Sequence, residues 1–257
     1  MSLIKNDYFK TYLSFLDIDL KAAFKEVQEL ILEPHTFTFY TSVSVMSSSK
    51  IEGEQMELDS YVKHKILNIE YLPELTEKPN DLYKAYLFAK DNKLTKSNFS
   101  ETHKLIASHL LPKHEQGSIR NNEMLVMEHK TMRIQFEAAL AFIVGKEYNQ
   151  LWDEIEILLE ANHTIEEVFY FAAYIHLVFV NIHPFNDGNG RIGRLLEKWF
   201  LAEKLGERAW YIQSEKYYYE NVNDYYKNLS RLGLFYDSLN YEKALPFLLM
   251  LPNSLRK

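Results

Sequence analysis

The sequence predicts a mainly α-helical fold. Three observations carry that expectation. Eight glycines and seven prolines in 257 residues are too few for the frequent turns of a many-stranded sandwich. Apolar residues recur at helical spacing through most of the chain, between Ser, Thr, Asp or Asn at the start of a run and Pro or Gly at its end. Thr164-Ile165-Glu166-Glu167 has the form of a capping box, and the run it opens is apolar nearly all round, which predicts a central buried helix reaching residue 183.

Taken in order, residues 17–33 read as an amphipathic helix, capped by Asp17 or Asp19 and stopped by Pro34. Residues 36–49 are rich in Ser, Thr and Val, so propensity alone predicts strand or loop; Gly53 then looks like a helix terminator. Further helices are expected at 58–68 and 81–92, separated by a break at Lys78-Pro79-Asn80-Asp81. Another starts at Ser97, Asn98 or Ser100 and ends at Pro112. Residues 113–134 hold two short apolar runs, Met124–Met127 and Met132–Ile134, around a polar tip, the pattern of a β-hairpin. Helical signals resume at 135–145 and 148–161. Beyond the central helix, Ile192, Leu195, Leu196, Trp199, Phe200 and Leu201 mark a second apolar helix. Two more are expected at 214–232 and 241–251, with Pro246 as a kink and Pro252 as the stop. No linker, repeat or low-complexity tract is visible, so one compact body is expected.

The net charge of −7 argues against nucleic-acid binding. The chain has no cysteine, which excludes disulfides and thiolate chemistry. It shows no signal peptide and nothing close to the ~20 apolar residues that span a bilayer. A soluble cytoplasmic protein, away from membranes, is expected.

The chemistry concentrates in His183-Pro184-Phe185-Asn186-Asp187-Gly188-Asn189-Gly190-Arg191-Ile192-Gly193-Arg194. Gly188 and Gly190 flank Asn189 where a loop enters a helix; glycines there let backbone approach a ligand, and the amides at a helix N-terminus attract anions. Arg191 and Arg194 share a face of that helix, and two guanidinium forks beside such a nest suit a diphosphate or triphosphate. Asp187 is the kind of carboxylate that holds Mg²⁺ beside phosphates. His183 is a natural general base for an incoming hydroxyl. Singly, each part is ordinary: a helix-end histidine, an Asp-Gly turn, two surface arginines. Together they describe phosphoryl or nucleotidyl transfer, without saying which phosphorus is attacked.

The same segment resembles the Fic family signature His-Pro-Phe-x-Asp-Gly-Asn-Gly-Arg-x-x-Arg at every fixed position, and the resemblance extends over about residues 97–240. It implies a Fic-type helical bundle with a small β-hairpin flap. It divides the chain into an N-terminal helical region (1–96), a Fic core (97–240) and a C-terminal helix packed on the core (241–257). It also implies transfer of AMP from ATP, with Mg²⁺, to a Ser, Thr or Tyr hydroxyl of a target protein, which can be the protein itself. His183 would deprotonate the hydroxyl and Asp187 hold the metal. Gly188, Asn189 and Gly190 would cradle the α- and β-phosphates, while Arg191 would contact the β-phosphate and Arg194 the γ-phosphate. Met124, Leu125, Val126 and Met127 would form the flap that aligns the target by backbone pairing.

Upstream, Ser48-Ser49-Lys50-Ile51-Glu52-Gly53 is similar to the family's inhibitory pattern Ser/Thr-x-x-x-Glu-Gly/Asn. That resemblance makes about residues 36–53 a helix, against propensity, with Glu52 paired to Arg194. Tyr225 and Tyr226 lie in a stretch resembling the family's base-side region, although Val222 stands where members often carry Arg. The remaining histidines, His103 and His176 among them, show no metal-ligand spacing and receive no role. Two rivals to a self-inhibited adenylyltransferase stay open: a hydrolase that removes AMP, with Glu52 positioning water, and a nucleotide-binding module whose chemistry is idle. A homodimer is compatible with the sequence.

Overall fold

The computed structural model describes residues 2–31, 33–127 and 134–256. The chain forms α1 (Phe9–Phe15), α2 (Leu20–Gln28), α3 (Thr36–Ile51), α4 (Leu58–Leu67), α5 (Pro73–Asp91) and α6 (Lys96–Ile106). A two-stranded antiparallel sheet follows, β1 (Leu125–Met127) and β2 (Ile134–Glu137). Then come α7 (Val144–Glu160), α8 (Ile165–Ile182), α9 (Asn189–Leu205), α10 (Ser214–Glu220), α11 (Val222–Ser230), α12 (Leu245–Leu248) and α13 (Met250–Asn253).

The mainly helical expectation holds, and α8 is the centre of the body. Thr164 accepts from the Glu167 amide while the Glu167 carboxylate accepts from the Thr164 amide, the reciprocal box its sequence announces. Every residue from Val168 to Ile182 is buried. By length and composition this one helix among the described residues could cross a bilayer, but most of it is enclosed by the rest of the protein. Its principal neighbour is α9.

The N-terminal region departs from propensity where it matters most. Residues 36–51 are α3, as the inhibitory-helix resemblance requires and the Ser/Thr/Val content does not. Tertiary packing overrides propensity here: α3 lies against α4, α5, α9 and α10, and Thr41 through Ser49 are all buried. Small serines let the neighbours approach, and some of their hydroxyls find partners inside: Ser42 back-bonds to the Thr38 carbonyl at 2.6 Å, and Ser44 accepts from the Lys198 ammonium at 2.7 Å, while the Ser47 and Ser49 hydroxyls are buried without a hydrogen-bond partner among the described residues. Gly53 (φ 90°) ends the helix, and the Glu54 amide returns to the Ser49 carbonyl at 3.1 Å.

Several boundaries are corrected. The first amphipathic helix spans Leu20–Gln28, capped by Asp19 through the Ala22 amide at 2.9 Å, and stops well before Pro34. No break occurs at Lys78–Asp81; α5 runs through Pro79, which is buried on the helix's packed face with Leu82, Tyr83 and Tyr86. That burial outweighs the one backbone bond proline removes. Helix α6 starts at a Thr95 cap and ends at Ile106, ahead of Pro112. The hairpin exists, with its tip, Glu128–Arg133, outside the described residues. Leu125 pairs with Glu137, Val126 with Phe136 and Met127 with Ile134 across a bulge, so 135–137 is strand and not the start of a helix. The expected helix at 214–232 is two, separated at Asn221. The expected helix at 241–251 is a 3-10 turn followed by α12 and α13; Pro246 sits in the first turn of α12 and Pro252 within α13.

Candidate active site

Helix α8 ends at His183, whose backbone is left-handed at φ 53°, a conformation few residues other than glycine adopt without support. Support comes from Arg120, a residue the sequence reading passed over. Its Nε donates to the His183 carbonyl at 2.7 Å, a terminal nitrogen donates to the Ile182 carbonyl at 3.3 Å, and the guanidinium also binds the carbonyls of Asn122 and Ala139. The Arg120 amide in turn donates to the Pro184 carbonyl at 2.9 Å. One buried guanidinium thus ties the end of α8 to both flanks of the hairpin.

The His183 side chain is half-buried. Its Nδ1 lies 3.1 Å from the Val180 carbonyl. A carbonyl only accepts, so Nδ1 carries the proton and Nε2 keeps its lone pair. Burial lowers the imidazole pKa to about 4, against the raising effect of that hydrogen bond, so the ring is a free base at neutral pH. Phe136 of β2 packs edge-on against it, ring centroids 6.2 Å apart, which joins the hairpin to the base.

Between His183 and α9 the loop is held from inside. Phe185 is fully buried and stacks on His103 of α6 at 3.7 Å between centroids and 12° between planes. The Gly117 amide donates to His103 Nδ1 at 2.9 Å. The proton therefore sits on Nε2, which donates to the Asp187 carbonyl at 2.9 Å. Burial lowers the His103 pKa to about 4, keeping that neutral tautomer. The Asn189 side chain accepts from the Phe185 amide at 2.9 Å and donates to the Phe185 carbonyl at 2.7 Å. Asn189 is thus a clamp on the loop, and what it can offer a phosphate is its backbone amide.

Gly188 (φ 81°) caps α9, and the first-turn amides that follow have no acceptor within the helix. The half-exposed Asp187 carboxylate stands beside them, accepting from the Gly188 amide at 2.6 Å. No group of three or more His, Cys, Asp or Glu able to hold a metal occurs among the described residues. A lone carboxylate at an anion nest is nonetheless what Mg²⁺ uses when phosphates and waters supply its other oxygens.

Arg191 and Arg194 are both buried, not displayed on a solvated face. Arg194 donates from Nε to the Ser48 hydroxyl at 2.8 Å, and from a terminal nitrogen to the Ser48 carbonyl at 3.1 Å and the Glu52 carboxylate at 2.6 Å. Burial works to lower its pKa, but Glu52, the largest opposing influence, holds it above the usual arginine value. Glu52 also presses on Gly190: a Cβ at that position would collide with its carboxylate oxygen. Arg191 reaches Glu54 at 3.4 Å and Asp187 at 3.9 Å.

Tyr225 is buried, its hydroxyl 3.3 Å from Arg194 and 3.1 Å from His176 Nε2, and its ring packs on Tyr218 and Phe247. The Tyr226 hydroxyl donates to the Ile51 carbonyl at 3.1 Å, fastening the end of α3. Under them, His176 Nδ1 lies 2.8 Å from Glu197. His176 and Glu197 carry no motif, which is why sequence reasoning missed them. In β1, Leu125 and Met127 are exposed and Val126 half-buried, while the Met124 carbonyl accepts from Ala138 at 3.0 Å.

Comparison with known proteins agrees with this arrangement. Residues 93–201 match the Fic/DOC family. A curated relative, the protein adenylyltransferase Fic of Nematostella vectensis, is 33% identical over 115 residues, which is 43% of this chain and 23% of that protein. The match thus spans less than a quarter of the relative's length. A Fic family protein from Desulfovibrio desulfuricans G20 superposes with a TM-score of 0.76 at 19% identity, over 98% of this chain and 72% of that one. A Fic-domain signalling protein from Bacteroides thetaiotaomicron VPI-5482 gives 0.69 at 18% identity, over 92% and 91%. At these identities the structural likeness is one of fold.

Proposed function

The chain is a Fic-domain protein, and from that premise we propose that it is an adenylyltransferase that moves AMP from ATP to a hydroxyl of a target protein, held inactive by Glu52. The observation that carries this reading is the Glu52–Arg194 pair at 2.6 Å, braced by Ser48 on the same guanidinium. An arginine one turn into α9, beside its N-terminal amides, is a natural partner of a terminal phosphate, and here a carboxylate occupies it. The nucleotide's outer phosphate is refused that partner and repelled by the charge, so the α-phosphorus is not brought in line for attack; misplacement of that kind costs orders of magnitude in rate.

With Glu52 withdrawn, the residues divide the work. The first-turn amides of α9 and the two arginines bind the polyphosphate. Asp187, fixed by His103, would hold Mg²⁺, which supplies charge neutralisation on the phosphates. His183 Nε2 takes the proton as the target hydroxyl oxygen bonds to the α-phosphorus; the bond to the bridging oxygen breaks, and pyrophosphate leaves. The exposed edge of β1 would align the target strand. A cytoplasmic setting, where ATP is at hand, goes with this reading.

The hydrolytic alternative uses the same groups. The Glu52 charge acts on His183 as well as on Arg194; in this alternative Glu52 would orient the water that attacks a modified protein. The test is mass spectrometry of Glu52→Gly protein incubated with each nucleoside triphosphate and a lysate. A gain of AMP from ATP, with pyrophosphate released and the gain abolished by adding His183→Ala, supports transfer. No adduct from any donor contradicts it.

A further inference from the structure

The turn that closes α3 carries a second acid. Glu54 lies two residues beyond Glu52, and its amide caps the helix through the Ser49 carbonyl at 3.1 Å. This places the Glu54 carboxylate 3.4 Å from a terminal nitrogen of Arg191. Both side chains are largely enclosed, Glu54 at 12% and Arg191 at 5% exposure. The same Glu54 oxygen is 3.0 Å from the ammonium of Lys78 on α5, which is 40% exposed. The Arg191 Nε is buried with no hydrogen-bond partner among the described residues.

We infer that Glu54 is a second acidic arm, which occupies Arg191 as Glu52 occupies Arg194, so that the two carboxylates stand in for two successive phosphates of a nucleotide. The inference rests on the proposed function and goes beyond it by assigning Arg191 an internal competitor. The pairing is tied to one turn: both acids hang from the same helix end, and the two arginines are one helical turn apart on α9.

The arms differ in how they let go. Arg194 is deeply enclosed and gripped by Ser48 and Glu52 together. Glu54 is shared between Arg191 and a solvent-facing lysine, at a distance slightly shorter to the lysine. A diphosphate entering at Arg191 can therefore push Glu54 onto Lys78 without leaving a bare buried carboxylate, the costly outcome for an ion-pair partner. Arg191 also gains an oxygen for its unpartnered Nε. Glu54 thus sets affinity for any nucleotide with a β-phosphate, whereas Glu52 discriminates against the γ-phosphate.

Calorimetry with ADP and with ATP tests this, in a His183→Ala background that prevents turnover. Glu54→Gln should tighten ADP and ATP alike, by about three- to tenfold for a partly buried ion pair of about 1 kcal/mol. Lys78→Ala should weaken both, because Glu54 then has Arg191 alone. Glu52→Gly should tighten ATP far more than ADP. Opposite shifts from two substitutions cannot arise from a shared loss of folding. If Glu54→Gln and Lys78→Ala leave both affinities unchanged while Glu52→Gly tightens ATP, Glu54 is no arm and the proposed function stands. If no variant binds either nucleotide, both fall.

Discussion

His103 donates a hydrogen bond to the backbone carbonyl of Asp187 at 2.9 Å while its ring stacks on Phe185. The carboxylate at the mouth of the site is thus positioned by a neutral histidine from α6, more than eighty residues upstream. His103→Phe keeps the stack and strands both the Gly117 amide and the Asp187 carbonyl. Both groups are part-buried, so each lost bond costs about 1 kcal/mol, the low end of the range for a group left unpaired. The thermal midpoint should fall, and labelling by Glu52→Gly enzyme should need more Mg²⁺ to saturate. An unchanged Mg²⁺ requirement would mean that His103 only packs.

Arg120 serves the left-handed turn at His183. Arg120→Met removes donors to four carbonyls without filling their lone pairs, and lysine cannot reproduce the fork. Chemical denaturation should show a loss of about 3 kcal/mol or more, as for broken buried networks. At temperatures where the variant stays folded, labelling should drop while ADP affinity holds, since the arginines of α9 are untouched. Equal loss of both would show general damage instead of a displaced base.

Acid should destabilise the fold in a defined window. Burial depresses His103 and His183 from 6.5 to about 4. Below pH 6.5 the unfolded chain binds protons that the folded chain refuses, so stability falls from pH 6.5 down to about pH 4, by up to about 3 kcal/mol for each group. His103→Phe, with one such group fewer, should lose less on going from pH 7 to pH 4.5. A parallel loss in both proteins would contradict the assignment. The kcat/KM of Glu52→Gly enzyme should likewise lose activity only at about pH 4 or below, because burial keeps His183 the free base and the variant lacks one of the charges that raise its pKa.

Ser48 braces the arginine that Glu52 occupies. Ser48→Ala removes the acceptor for Arg194 Nε but leaves the carboxylate in place. AMP incorporation should rise by less than with Glu52→Gly. A rise as large as that from Glu52→Gly would make Ser48, not the charge, the holding element.

Much of this was legible in the sequence because local signals and tertiary structure agree there. The Thr164–Glu167 box, the apolar run behind it and the His183–Arg194 segment all fold as their residues prescribe. Helix α3 was not legible from propensity: its serines are buried against α9 and α10, and only its resemblance to an inhibitory motif pointed to a helix. Pro79 misled for the same reason, since burial of its helix face outweighs a missing backbone bond. Asn189 looked like a phosphate ligand but turns its amide inward to clamp Phe185. Arg120, His103 and His176 act over long sequence separations through carbonyls and a buried carboxylate. Such contacts leave no short pattern to read. Tyr225 and Tyr226 both lie in α11, and their hydroxyls meet Arg194 and the end of α3, contacts that no short pattern announces.

Glu52 sits on Arg194 at 2.6 Å, and the proposed role of that contact is to keep the site from transferring AMP. The direct measurement is incorporation of label from α-labelled ATP into protein by wild type and by Glu52→Gly, at equal concentration with saturating Mg²⁺. Removing a partly buried carboxylate from Arg194 should raise the rate by at least about tenfold, the equivalent of about 1.4 kcal/mol. Equal incorporation by the two proteins would contradict it.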